Sequence, residues 1–153
     1  MCGIAGVIGD PSQDVLEKML VATRHRGPDD NGIFIDKNAS IGMNRLAIQD
    51  VSSAGHQPMI SVDERFVIIF NGEVYNFKEE RALLEKQGIE FNSSTDTEVV
   101  LKLYVHYGKD SLKRLRGMFA FAIWDRKQQS MFAARDHLGI KPFLYSVADK
   151  GLI

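Results

Sequence analysis

Met1-Cys2-Gly3-Ile4-Ala5-Gly6 opens the chain, and the rest of the sequence is read outward from it. If Met1 is removed, Cys2 becomes the terminal residue and presents a thiol and a free α-amine on one amino acid. A thiol is a strong nucleophile only as thiolate, and an α-amine titrating near ~7.7–8.0 accepts its proton around neutral pH, directly or through one water. Nucleophile and base then arrive together. The Cys2 side chain is small enough for routine excision of Met1, whereas an attached Met1 turns the amine into an amide without basicity. A lone cysteine also has a plainer use as a small buried hydrophobe. Cys2 to Ile8 reads as a strand that would hold the terminus in place.

With 153 residues, the chain is long enough for one domain with a real core and short for two. Hydrophobic residues make up 44% and charged residues 25%, the profile of an ordinary soluble protein. A net charge of -1 and a pI of about 6.4 give no electrostatic case for nucleic acid or an anionic membrane. The single cysteine excludes an intramolecular disulfide and fits a reducing compartment. No basic residue precedes Ile4 to Ile8, which runs into Asp10-Pro11, so no signal peptide is read there. The longest apolar run, Met118 to Trp124, falls far below the roughly 18 residues of a membrane span. The expected location is the cytoplasm. Neither G-x-x-x-x-G-K-S/T nor G-x-G-x-x-G occurs, and His25, His56, His106 and His137 are not spaced as a metal pair, so no phosphate loop and no metal are expected.

Asp10-Pro11-Ser12-Gln13 reads as a cap at Asp10, a proline at the first helical position and a glutamine returning to the cap. Val15, Leu16, Met19, Leu20 and Ala22 then recur at helical spacing. Arg24-His25-Arg26-Gly27-Pro28-Asp29 follows, either a solvated loop or a lining for an anionic group. Gly32 to Asp36 and Ser40 to Arg45 form a hairpin around Lys37-Asn38, and Arg45 to Gln49 continues extended. Arg65 to Phe70 is apolar on both faces, as a central strand would be, and ends at Asn71-Gly72-Glu73. That Gly either makes a simple turn or exposes its backbone N–H to a ligand. Asn76-Phe77-Lys78-Glu79 and Thr95-Asp96-Thr97-Glu98 are capped helix starts, stopped at Gly88 and Gly108, and Asp96 favours its helix dipole. A short helical piece covers Ser111 to Leu115. Met118 to Asp125 and Ser130 to Arg135 form a second hairpin, Asp136 to Pro142 a loop, and Phe143 to Val147 a strand. After a turn at Asp149-Lys150-Gly151, Leu152-Ile153 opens a further strand, so the chain is expected to be a fragment of a longer sequence. Strands, then helices, then strands without regular βαβ alternation predict layered α+β, with two mostly antiparallel sheets face to face and helices outside.

Taken together, Cys2-Gly3-Ile4, Arg24-His25-Arg26-Gly27-Pro28-Asp29, Arg45-Leu46-Ala47-Ile48, Gly55-His56-Gln57-Pro58, Phe70-Asn71-Gly72-Glu73, Asp96-Thr97-Glu98 and Ala134-Arg135-Asp136-His137-Leu138-Gly139-Ile140-Lys141-Pro142 resemble the class II glutamine amidotransferase domain of glutamine-hydrolysing asparagine synthetases. The resemblance covers essentially residues 1–153, in order. It implies the N-terminal nucleophile hydrolase fold, a four-layer αββα sandwich. It also implies that Cys2 attacks the side-chain amide of glutamine and passes through a thioester, with Asn71 and the Gly72 N–H as the oxyanion hole. Arg45 would hold the α-carboxylate and Glu73 and Asp96 the α-ammonium, with backbone groups around Leu46, Ala47, Ile48, Gln49 and Gly72 completing the pocket.

The family resembled carries a second domain that activates aspartate with ATP and Mg and receives ammonia through an internal channel. Its Ser-Gly-Gly-x-Asp-Ser signature is absent here, so this domain is expected to need no cofactor and not to make asparagine alone. The implied partner is a synthetase domain or subunit, and a homodimer is left open. The resemblance further implies that the domain is truncated at its C-terminal edge. Two other readings stand beside it: an amidotransferase serving another carboxylate acceptor, and a catalytically silent binding module that keeps Met1.

Overall fold

The computed structural model describes residues 1–148 and 151–153. Among these, the chain runs through β1 (Gly3–Ile8), α1 (Gln13–Thr23), β2 (Asp30–Asp36), β3 (Ala39–Arg45), β4 (Met59–Ile60) and β5 (Phe66–Val74). There follow α2 (Phe77–Glu85), α3 (Asp96–Tyr107), β6 (Gly117–Asp125), β7 (Ser130–Arg135), β8 (Val147–Ala148) and β9 (Gly151–Leu152). Two sheets result, ordered β2-β3-β1-β9-β8 and β4-β5-β6-β7, with antiparallel pairings throughout. β1 lies inside the first sheet, paired with β3 from Gly3↔Asn44 to Ile8↔Ala39, so Cys2 leaves directly from a fixed strand.

Side-chain alternation turns this pairing into layers. In β5, Val67 and Ile69, together with Ala122 and Trp124 of the neighbouring β6, face the other sheet and meet Ala39, Ile41 and Met43 of β3. Ile68 and Phe70 point the opposite way, onto Leu84 of α2 and Val99, Val100 and Leu103 of α3. A strand with an apolar residue on each face is thus buried from both sides. Leu16 and Leu20 of α1 cover Ala5 on the far side of the first sheet. The order is α1, sheet, sheet, α2 with α3, the expected four-layer sandwich. Each fully buried Leu or Ile contributes on the order of 1.5–3 kcal/mol. Trp124 Nε1 donates to Asp36 Oδ2 at 3.0 Å and so ties the two sheets through a satisfied indole.

Local signals failed where a tertiary partner competed. The α1 cap is Ser12, which is extended and accepts from the Val15 N–H at 3.3 Å, while Gln13 reaches Glu17 instead of the cap. Asn76 caps nothing with its side chain, which bridges the Arg114 carbonyl and the Arg116 N–H, both at 2.9 Å. Thr95 caps α3 as expected, accepting from the Glu98 N–H at 3.2 Å. β5 does not stop at Asn71-Gly72; it pairs with β6 through Val74↔Gly117 because β6 is equally long. The chain leaves the sheet at Arg45, where pairing with β2 ends at Asp30 and Asp29 Oδ2 takes the Ala47 N–H at 2.9 Å. Phe143 to Val147 is not a strand: Leu144 is exposed, and pairing is limited to Ser146 with Ile153 and β8 with β9. The turn expected at Asp149-Lys150 lies outside the described residues.

Candidate active site

A cavity of about 160 Å³ opens beside Cys2, where the start of β1, the loop after β3, the middle of β5 and the first turn of α3 converge. Cys2 is half-buried, the Leu46 N–H points at its Sγ from 3.4 Å, and Arg26 Nε holds its carbonyl at 3.1 Å. The thiol is thereby fixed at one wall. Met1 also lines this cavity.

The opposite wall is made by strand alternation. Phe119 sends its backbone groups towards Asp136, its N–H to Oδ2 at 3.1 Å and its carbonyl to the Asp136 N–H at 2.8 Å. Its partner Gly72 therefore points its own N–H away from β6. The neighbours on that edge are engaged: Phe70 N–H donates to Gln57 Oε1 at 2.7 Å and Val74 N–H to Asp96 Oδ2 at 2.9 Å. Between them, the Gly72 N–H has no partner among the described residues and faces the cavity. Asn71 is 3% exposed, lines the same space, and its side-chain amide bonds to nothing among the described residues. Two donor-bearing groups are thus left free at the cavity, an arrangement suited to an anionic oxygen. The glycine is needed for a reason other than ligand approach, because a Cβ at Gly72 would stand 2.5 Å from the Met118 carbonyl oxygen and 2.7 Å from Phe119 Cα. Gly72→Ala is accordingly expected to push β5 off β6 and lower the melting temperature by several degrees together with any activity, as read by thermal unfolding.

Charge is divided across the floor. Arg45 is 6% exposed, with Nη1 donating to the Ser52 carbonyl at 3.2 Å and Nη2 to the Asp50 carbonyl. Gly55 lets the guanidinium lie flat, since a Cβ there would occupy the place of Nη2. The loop holding Arg45 is tied to the segment just before α3 by Asp50, whose carboxylate accepts from Ser52 and from the Ser94 N–H and hydroxyl, both at 3.0 Å. The Ser52 hydroxyl, then the Ser94 and Ser52 N–H groups, hold that carboxyl far below the usual range. Asp96 behaves oppositely. Burial pushes its carboxyl up to about 6, against hydrogen bonds from Val74 and the first turn of α3, and the nearby Glu73 charge adds to the rise. Gln49 Nε2 reaches Glu73 Oε1 at 3.4 Å, and its Oε1 is buried without a partner. Glu73, Asp96 and Gln49 thus offer acceptors for a cation, opposite an arginine that suits a carboxylate.

Residues 1–153 match the family described as glutamine amidotransferase domain. The chain belongs to this family. Among similar curated proteins are asparagine synthetase [glutamine-hydrolyzing] 1 of Bacillus subtilis (strain 168), 42% identical over 95% of this chain and 24% of that protein, and a putative asparagine synthetase [glutamine-hydrolyzing] 2 of Methanocaldococcus jannaschii, 46% identical over 95% of this chain and 32% of that protein. The chain therefore spans about a quarter to a third of their length. A solved glutamine phosphoribosylpyrophosphate amidotransferase from B. subtilis, complexed with ADP and GMP, shares the fold with a TM-score of 0.82 at 22% identity, over 99% of this chain and 41% of that one.

Within this amidotransferase domain, Cys2, Asn71, Gly72, Arg45, Leu46, Ile48, Gln49, Glu73 and Asp96 come together around the one cavity. Ala47 does not line it. Gln57 and Asp50 had no role in the sequence reading. Gln57 bonds both the Phe70 N–H and Thr97 Oγ1, at 3.1 Å for the latter, so it fixes β5 against α3. The only signal for it was its place in Gly55-His56-Gln57-Pro58. A second cavity of about 340 Å³, largely apolar, lies beyond Cys2 and Asn71 between the sheets.

Among the described residues, no helix is long and apolar enough to cross a membrane.

Proposed function

We propose that this domain hydrolyses glutamine to glutamate and ammonia through a thioester on Cys2. The observation that carries the reading is the pair of free donors, Asn71 and the Gly72 N–H, facing Cys2 across a cavity with separated charges. With Met1 removed, the Cys2 amine takes the thiol proton, and sulfur attacks the amide carbon of glutamine. The carbonyl electrons move onto oxygen, which Asn71 and Gly72 receive. Collapse expels nitrogen, which takes the proton from the amine and leaves as ammonia. Water, giving a proton to the amine, then attacks the thioester; the S–C bond breaks, sulfur recovers that proton from the amine, and glutamate departs. Arg45 positions the α-carboxylate; Glu73, Asp96 and the Gln49 carbonyl position the α-ammonium, with Leu46 and Ile48 closing the sides.

The apolar second cavity borders Cys2 and Asn71, and ammonia entering it would stay neutral, because protonation to ammonium in an apolar space is costly. The named relatives are glutamine-hydrolysing asparagine synthetases, and from this we infer that the ammonia acceptor is aspartate, converted to asparagine with ATP and Mg by a separate domain in the cytoplasm. Feeding the full-length protein aspartate and ATP tests that assignment, and failure to form asparagine would transfer the reading to another carboxylate acceptor. For the glutaminase step, Asn71→Ala is expected to lower kcat roughly a hundredfold or more with little change in KM, because the donor acts on charge that develops only at the transition state. An unchanged kcat in a glutamate-release assay would remove Asn71 from the oxyanion hole.

A further inference from the structure

Lys141 is 5% exposed, yet its ammonium makes no ion pair among the described residues. Nζ meets the thioether of Met1 at 3.2 Å, and a thioether is a weak acceptor. An ammonium held away from water without an anion is costly, so something must fix it there. Asp136 does so. Its carboxylate accepts the N–H groups of Lys141 at 3.0 Å, Ile140 at 2.9 Å, Leu138 at 3.1 Å and Phe119 at 3.1 Å. Arg135 Nε adds a bond to the Lys141 carbonyl at 2.6 Å. The backbone at Lys141 is thus fastened to the end of β7 and to β6, while its side chain reaches the cavity wall that it shares with Met1 and Cys2.

The other charged groups around Cys2 lie on four further segments. Arg26, from the turn after α1, holds the Cys2 carbonyl through Nε while its Nη2 is buried without a partner, so it is a second cation near the terminus, common to parent and Lys141 variants; Arg45 and Asp50 belong to the loop after β3; Glu73 lies on β5 and Asp96 on α3. None of them bonds Lys141.

We propose that Lys141 is a positioning residue acting through the Cys2 amine: the two residues line one cavity, and once Met1 has gone the ammonium, as a like charge across that space, weakens the amine's hold on a proton. The amine is then free at neutral pH to accept the proton of the thiol. This inference rests on the reading of Cys2 as an N-terminal nucleophile. It gives the Arg135-Asp136-His137-Leu138-Gly139-Ile140-Lys141 stretch a task, which is to hold one cation in place.

The test uses the full chain with Met1 removed, verified by intact mass, and follows the α-carbon resonance of labelled Cys2 against pH. Lys141→Met is expected to raise the amine midpoint by about one pH unit, and Lys141→Arg to leave it within a few tenths. The acid limb of kcat/KM for glutamine should move up equally, making Lys141→Met roughly tenfold slower near pH ~6.5 and equal to the parent above pH ~9. Lys141→Gln repeats the measurement if the methionine variant loses its fold. A midpoint that stays put overturns the proposal, and a raised KM with no shift would make Lys141 a ligand of the substrate carboxylate instead. A shifted midpoint in a protein that releases no glutamate would sustain the Lys141 inference and refute the nucleophile reading.

Discussion

Cys2→Ala is expected to reduce glutamate release from glutamine to below about one thousandth of the parent rate while leaving the fold intact. No other group at the cavity can replace the sulfur. The Thr95 hydroxyl is committed to capping α3 at the Glu98 N–H, and the Thr97 hydroxyl accepts from Gln57. The structural loss is small because Cys2 is half-buried and its sulfur makes only two long contacts, accepting from the Leu46 N–H at 3.4 Å and donating to the Leu46 carbonyl at 3.8 Å. Urea unfolding should therefore agree within about 1 kcal/mol between the two proteins. Retention of Met1 should silence the enzyme to a similar degree, since the thiol remains and the basic amine does not. Release that survives in Cys2→Ala would sink the thioester route altogether.

Asp96→Asn is expected to separate binding from stability. In the folded chain burial holds the Asp96 carboxyl at about 6, against about 3.9 for an unfolded Asp. The folded state therefore binds the proton more tightly, a contribution fully present below about pH 4 and lost as pH rises through about 6. At neutral pH the buried charge is a burden of roughly 1–3 kcal/mol. Asparagine relieves it and can still accept from the Val74 N–H, now at 2.9 Å from Asp96 Oδ2. The variant should be more stable by that amount near pH ~7.5 and no more stable near pH ~4, while its KM for glutamine rises on the order of a hundredfold through loss of the anion facing the α-ammonium. Denaturant unfolding at the two pH values and a glutamine saturation curve decide it. A less stable variant at neutral pH, or an unchanged KM, would take Asp96 out of the ammonium site.

Much of this was legible beforehand because the decisive features were local. Two-sided apolarity at Arg65 to Phe70 foretold a central strand buried on both faces, and Thr95 announced α3 correctly. What stayed hidden depended on distant partners. Asn76 had the composition of a cap, but Arg114 and Arg116 claimed its side chain. The Asn71-Gly72 pair looked like a turn because those residue types favour turns; nine-residue pairing with β6 overrode that preference. The donor role of Gly72 could be named from a resemblance, yet its direction follows only from which face of Phe119 meets Asp136. Lys141 was visible in a motif with no task attached, since nothing local to it reveals burial without an anion.

The edge of β5 carries a consequence for how the molecule behaves in a crowded cell. Sheet edges with free backbone groups invite foreign strands. Here the opening is a single residue wide, closed on one flank by the Gln57 side chain at Phe70 and on the other by Asp96 at Val74. An incoming strand needs several consecutive rungs to bind, and it would find one. The chain can thus keep a reactive amide bare for a small molecule without offering a template for aggregation.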